Sequence, residues 1–349
     1  MIDRESEVVR VSLDELQPDA PAGLATTAVA SGGPKSYGTI HEPAEPVFHA
    51  PEKANFFLNA WVYLGLAGLA GALLGWGAVE PWFVDGPGRH WGNVWLMPAV
   101  VTLMCVGFGL ADSIVERSAR KAAIRVGIAL PLGVVLAFIF DGIANLFFNL
   151  GLGIVFAAGV QTEHNPAFWM ARSVAWAVFG VAGGVIYGII GQSGRKTAYG
   201  ALGGAVGAAL GGLIFDPISF ATHGGAVSRG VGFGLLGLST GIAIGLVESA
   251  LKDRWLYVTA GPLAGKQFIL YKPETRIGSQ QTCDIYLFKD AEILPDHAIL
   301  TQKAGRLHLQ ASGPVYIGGQ RIHSARVLDS GSMIQIGRYS FRYQEKLRQ

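Results

Sequence analysis

Two aspartates, Asp141 and Asp216, lie 75 residues apart in apolar stretches, each closing an Ile-Phe-Asp run. An ionisable group inside a membrane segment marks a polar pathway by default. The pair is therefore a candidate intramembrane polar site, and Asn145 and Asn149 face the same choice. The competing reading places both carboxylates near span ends, within reach of water or a neighbouring helix, with Pro217 marking a helix end. Gly232-Phe-Gly234-Leu-Leu-Gly237 spells G-x-G-x-x-G but lies within an apolar span with no preceding strand, so it carries no dinucleotide site. Gly261-Pro-Leu-Ala-Gly265-Lys266 is one residue short of a phosphate loop and continues with Gln267, so it reads as a hairpin turn. The histidines lack metal-ligand spacing. No Ser/His/Asp order and no close carboxylate pair on a soluble helix is recognisable, so the expectation is no enzyme, no cofactor and no metal.

These residues must be held by membrane helices. Half of the 349 residues are hydrophobic, only 15% are charged, 49 are glycine, and the mean hydropathy is +0.38, too apolar for a soluble chain of this length. Six spans are expected, at about 55–79, 93–115, 123–148, 168–191, 198–217 and 229–249. Residues 149–160 are apolar but too short to span; they extend span three, re-enter the membrane or lie on its outer surface. With the N-terminus inside, the inner flanks hold Lys53, Arg117, Arg120, Lys121, Arg125, Arg195, Lys196, Lys252 and Arg254, against Arg89, Arg172 and Arg229 outside. That bias places both ends in the cytoplasm of an inner (plasma) membrane protein.

An internal repeat runs through the spans. Ser118-Ala-Arg120-Lys121 returns as Ser193-Gly-Arg195-Lys196, and Ser249-Ala-Leu-Lys252 opens a third copy, with span one outside the repeat. Glycines recur every fourth residue at 180, 184 and 188, at 203, 207 and 211, and at 237, 241 and 245. Such smooth stripes serve close helix packing or self-association, with a pore or transporter core as the alternative.

Before the spans, residues 1–52 carry nine acidic and three basic side chains among six prolines and read as a disordered acidic tail. The helical region covers 53–252. From 253 to 349 the pattern changes to short alternating runs, such as Leu256-Tyr257-Val258, Leu307-His308-Leu309 and Met333-Ile334-Gln335-Ile336, separated by turn residues. That is the pattern of an all-β sandwich. Thirteen basic against seven acidic residues over 254–349 oppose the charge of the tail. Cys105 and Cys283, one in a span and one in the sandwich, make no disulfide framework.

The last segment resembles a forkhead-associated (FHA) domain. The resemblance rests on Ile277-Gly278, Asp284-Ile285-x-Leu287, Asp290, His297-Ala298, Gly319 followed by Arg321, Gly331, and Ile334-x-Ile336-Gly337 leading to Phe341. It implies a phosphothreonine-peptide reader with the phosphate held by loops at one end, and a structural role for Gly278, Asp284, His297, Gly319 and Gly337. The chain departs from the family at the phosphate ligands. Ser279 replaces the arginine after Ile277-Gly278, and Leu294 followed by Pro295 replaces the serine before His297. Ser312-Gly313-Pro314-Val315 replaces Ser-Asn-Gly-Thr, and Gly318 replaces an asparagine. Ser279, Arg306, Ser312 and Arg321 are the nearest polar candidates for partner-binding loops. The expected role is a membrane-anchored scaffold that recruits cytoplasmic or membrane proteins, of Ser/Thr-kinase signalling or a larger membrane complex, without the usual phosphothreonine site. Membrane lipids and a second copy of the chain are further expected partners, and nucleic acid is not. The alternative is a transporter or channel regulated by the sandwich.

Overall fold

A computed structural model describes residues 51–85, 90–159, 165–221 and 225–346. The acidic tail, except Pro51 and Glu52, lies outside the described residues. Six long helices come first: α1 (Ala60–Val79), α2 (Trp91–Val115), α3 (Ala119–Ala157), α4 (Pro166–Ile190), α5 (Gly194–Ala221) and α6 (Gly225–Leu251). All six are long and apolar enough to cross a membrane. Helix is the form such sequences take there, because it satisfies every backbone polar group internally. Ser118 caps α3 by accepting from Lys121 N–H at 3.2 Å, and Asn165 caps α4 ahead of Pro166.

Residues 149–157 continue α3, so the extension of span three is the arrangement adopted. At 39 residues α3 is about 58 Å long, well beyond a hydrocarbon core of ~30 Å. Pro217 does not end α5, which runs on to Ala221; the expected helix end at Asp216 is therefore corrected.

The helices form a closed ring in chain order, and α2, α4 and α6 also touch one another at its centre. Three hairpins share one contact register. Gly184 of α4 abuts the Gly200 backbone of α5, Gly109 of α2 lies beside Arg125 and Ala129 of α3, and Gly241 of α6 abuts Leu64 of α1. Thus α1 completes the third hairpin instead of standing outside the repeat. It can do so because, like α3 and α5, it runs away from the sandwich end. The turns repeat too: Arg117 and Gln192, 75 residues apart, both hold positive φ (52° and 53°) just before Ser118 and Ser193. The glycine stripes lie at the helix crossings, where backbones touch. Leu64, Met104, Phe108, Tyr187 and Ile244 pack together in the ring.

The C-terminal sandwich has a six-stranded sheet ordered β2-β1-β11-β10-β7-β8 and a five-stranded sheet ordered β4-β3-β5-β6-β9. Its strands are β1 (Arg254–Ala260), β2 (Gln267–Ile269), β3 (Glu274–Gly278), β4 (Ile285–Tyr286), β5 (Ala298–Lys303), β6 (Arg306–Ala311), β7 (Val315–Ile317), β8 (Gln320–Arg321), β9 (Arg326–Leu328), β10 (Met333–Ile336) and β11 (Tyr339–Glu345). Alternate residues, among them Leu256, Val258, Ile277, Leu300, Leu309, Ile334, Phe341 and Tyr343, fill the space between the sheets. Every pairing is antiparallel except β3 with β4.

Candidate functional site

The densest polar constellation lies where the sandwich meets the bundle. The β1–β2 turn carries Lys266 there. Gly265, at φ +98°, donates to Val258 O, and Lys266 O accepts from Val258 N–H. A residue with a Cβ resists that backbone conformation. The Lys266 ammonium then sits 3.1 Å from Glu116 Oε1 and 3.7 Å from Asp112 Oδ1, with only 3% of its side chain exposed. Lys121 meets the other Glu116 oxygen at 2.8 Å, and Lys196 lies 3.4 Å from Asp112 and 4.0 Å from Glu248. Three phenols complete the set: Tyr63 donates to Asp112 (2.9 Å), and Tyr187 and Tyr271 donate to the two oxygens of Glu248 (2.9 and 2.8 Å).

Every helix contributes to this network: Tyr63 from α1, Asp112 from α2 with Glu116 at its C-terminal cap, Lys121 from α3, Tyr187 from α4, Lys196 from α5 and Glu248 from α6. The sandwich adds Lys266 and Tyr271. Charges this far from water persist only when paired and hydrogen-bonded. Burial pushes the Glu116 carboxyl up, but Lys266 and Lys121 outweigh it and hold the group below its ordinary range. Burial, with Glu248 beside it, pushes the Tyr271 phenol well above its ordinary value, so it remains a donor. A cavity of about 420 Å³ adjoins the network.

The β3–β4 loop docks beside it. Gln281 Oε1 accepts from the Ser118 hydroxyl and from Arg120 N–H, both at 3.2 Å, and Lys121 also donates to Asp284 O at 3.3 Å. Lys272 bonds Gln192 in the α4–α5 turn (3.1 Å), and Arg195 pairs with Asp253 (2.8 Å). Glu52 N–H donates to Thr259 O, tying the chain ahead of α1 to β1.

Ser279 and Ser312 share one end of the sandwich. The Ser279 hydroxyl donates to Ile293 O at 2.7 Å, and Ser312 N–H donates to His297 O at 2.8 Å. Arg306 does not join them. It starts β6 at the β5–β6 turn, paired with Lys303, while Ala311 pairs with Ala298 beside Ser312. Five residues of strand, roughly 17 Å, separate the two ends, so placing Arg306 among the same loops is corrected. Arg321 is exposed on the edge strand β8, opposite Tyr316.

The remaining motif residues act locally. His297 Nδ1 accepts from Leu294 N–H (3.0 Å), which leaves Nε2 to donate to Pro314 O (3.0 Å), and Gly313 lies against the ring. Asp284 accepts from Arg276 N–H and pairs with Lys272. Gly278 leaves no room for a Cβ beside Pro295 O. Gly318 and Gly319, both at positive φ, form the two-residue β7–β8 turn, and Gly337 turns β10 into β11 under Asp290.

In the bundle, Asp216 is buried with the Arg172 guanidinium 3.2 Å away, whereas Asp141 sits partly exposed on α3. The two aspartates, equivalent in the repeat, have different surroundings. Sequence reasoning missed the junction network altogether. Its members are single polar residues at span ends; Lys121 and Lys196 stood out only as repeated flank cations, and Lys266 only through the letter-wise oddity of Gly261–Lys266.

No curated protein matches the chain. Solved structures similar to its last segment include the FHA domain of the CT664 protein from Chlamydia trachomatis, 22% identical, covering 28% of this chain and all of that one, with a TM-score of 0.26. The N-terminal FHA domain of Rad53p from S. cerevisiae, solved with a phosphothreonine peptide, is 16% identical, covering 27% and 94%, with a TM-score of 0.26. The FhaA FHA domain, solved with the intracellular domain of Rv3910, is 16% identical, covering 26% and 100%, with a TM-score of 0.24. Residues 257–346, following six apolar helices, match the family described as the cytoplasmic domain of an inner membrane component of the T3SS.

Proposed function

We propose that this chain is a multi-pass membrane scaffold that displays its FHA-like sandwich to the cytoplasm and recruits partner proteins there without reading phosphothreonine. The observation that carries the reading is the state of the β3–β4 loop. Where phosphopeptide readers of the resembled family place an arginine, Ser279 stands with its hydroxyl engaged by Ile293 O, and Gln281 is bonded to the bundle. The likeness of residues 257–346 to a component of a secretion assembly supports partners within a larger membrane complex. The fixed mounting of the sandwich suits a scaffold, since it presents the outer strands in one orientation. The apolar packing of Met104, Phe108 and Ile244 gives the transport alternative less support.

The test is a titration of the full chain in nanodiscs with matched phosphorylated and unphosphorylated threonine-peptide libraries. Equal, weak binding of both sets is expected, together with stable co-purification of membrane-complex proteins. Selective capture of the phosphorylated set would overturn the reading. Sidedness is tested by cysteine labelling at Arg306 and Arg321 in intact and opened cells; labelling in intact cells would refute a cytoplasmic sandwich.

A further inference from the structure

The junction cavity opens beside the first three turns of α3, which line it with basic and apolar residues together. Arg120 and Lys121 line it nearest the start of α3, Ile124 and Arg125 follow, and Ile128 lines it furthest into the bundle. Ile124 and Ile128 are 53% and 41% exposed, so the apolar wall is continuous with the lipid-facing surface of α3. Leu58 and Trp61 line the same space. Trp61 packs edge-on against the exposed Phe56 (5.3 Å), an aromatic group of the kind that sits at the headgroup level of a bilayer. The cavity therefore lies where headgroups give way to acyl chains.

Its charge suits an anion. Arg120, Lys121, Arg125, Lys196, Lys266 and Lys272 face four carboxylates across it. The buried carboxylates are engaged within the network by Lys121, Lys196, Lys266 and the three tyrosines, which leaves Arg120 and Arg125 as the α3 cations with donors to spare. Arg125 gives one nitrogen to Ser113 (2.9 Å) and keeps further donors, and Arg120 is exposed. At about 420 Å³ the space falls within the 300–1,000 Å³ usual for small-ligand sites.

We propose that this cavity binds the phosphate-bearing headgroup of an anionic phospholipid. Arg120 and Arg125 would take the phosphate oxygens, beside the Lys121–Glu116 pair, while the acyl chains follow Ile124 and Ile128 along α3. Arginine suits the role because its fork matches phosphate oxygens. Basic pockets between membrane helices are recognised sites for such headgroups. The lipid would bridge α3 to the turns that hold the sandwich. This assignment concerns the junction and does not depend on which protein the sandwich recruits.

The full chain, purified in an uncharged detergent and stripped of lipid, would be titrated with dioctanoyl-phosphatidylglycerol, dioctanoyl-phosphatidylcholine and glycerol 3-phosphate, with bound lipid read by native mass spectrometry. The glycerol lipid should bind selectively and lose affinity with rising salt. Arg120→Gln should weaken it about fivefold and Arg120→Gln with Arg125→Gln about 25-fold, as ~1 kcal/mol per basic side chain near an anionic surface implies. Arg120 is exposed, so the single variant tests the site without threatening the fold. Equal binding of the choline lipid, or unchanged affinity in both variants, would overturn the proposal. Glycerol 3-phosphate binding as tightly as the lipid would also overturn it, by pointing to a soluble phosphate ligand.

Discussion

Lys266 Nζ, on a turn of the sandwich, lies 3.1 Å from Glu116 Oε1 at the end of α2, and neither side chain is more than 5% exposed. A buried ammonium placed between Glu116 and Asp112 ties two parts of the chain that are 150 residues apart. Removing one partner strands the other in a medium that cannot solvate it, at a cost of about 3–5 kcal/mol. Lys266→Ala should therefore loosen the junction while leaving the sandwich core folded. Hydrogen exchange should rise in the α2–α3 turn and the β1–β2 turn, and not in β5, β6 or β10. Unchanged exchange would mean that the backbone and Gln281 contacts suffice.

Acid should act on the same bond. Lys266 and Lys121 depress the folded carboxyl of Glu116 despite its burial, so its contribution is fully present above the ordinary carboxyl value of 4.5. It disappears as pH falls through the lowered folded value. The melting temperature of the full chain should thus hold from pH 7 to about 5 and fall below that. Glu116→Gln should flatten the fall, and an equally steep fall in that variant would place the titration elsewhere.

Much of this architecture is legible in the residues, because each part obeys a short-range rule. Long apolar runs can only be helices in lipid, the Ser-x-Arg-Lys turns recur with their spacing, and Ile334-x-Ile336-Gly337 fixes a hairpin. What escapes is what depends on distant chain meeting. The place of α1 beside α6 leaves no repeated letters, since Trp61 and Leu64 pack where Thr197 and Gly200 pack in the second hairpin. Lys266 looks like an ordinary turn lysine until α2 stands opposite. Arg306 fails because β5 shows no alternating run of its own and β6 shows only its centre, Leu307–Leu309, so the residues alone do not tell which end of the sandwich their turn occupies.

Gly184 gives a sharp test of helix packing. A Cβ there would overlap the Gly200 carbonyl group, which is backbone and cannot step aside, whereas one at Gly127 or Gly142 meets nothing within 4 Å. Gly184→Ala should destabilise by about 1–3 kcal/mol through overpacking. Gly127→Ala should be neutral or slightly stabilising, as alanine is the better helix former. Thermal unfolding in detergent separates the two, and equal effects would show that the α4–α5 contact adjusts.

His297 ties the β4–β5 loop to the loop after β6 through Leu294 N–H and Pro314 O. His297→Ala removes both bonds, at about 0.5–1.5 kcal/mol each, since Leu294 and Pro314 are exposed residues. The loss should appear in denaturant midpoints of the sandwich, with higher exchange at residues 293–297 and 312–314.

Cys283 offers a direct reporter of the junction. It sits in the β3–β4 loop two residues after Gln281, is 1% exposed, and its Sγ lies 3.2 Å from Pro295 O. Burial, reinforced by Asp296, pushes the thiol up to about 11, so little thiolate forms at pH 8. Iodoacetamide should modify it slowly in the native chain. Modification should accelerate at least tenfold in Gln281→Ala or Lys266→Ala if either releases the loop, with Cys105, buried within α2, as the unreactive internal control. Fast alkylation of the unaltered chain would mean that the loop leaves the bundle on the timescale of the reaction, and that the sandwich is held less firmly than its hydrogen bonds indicate.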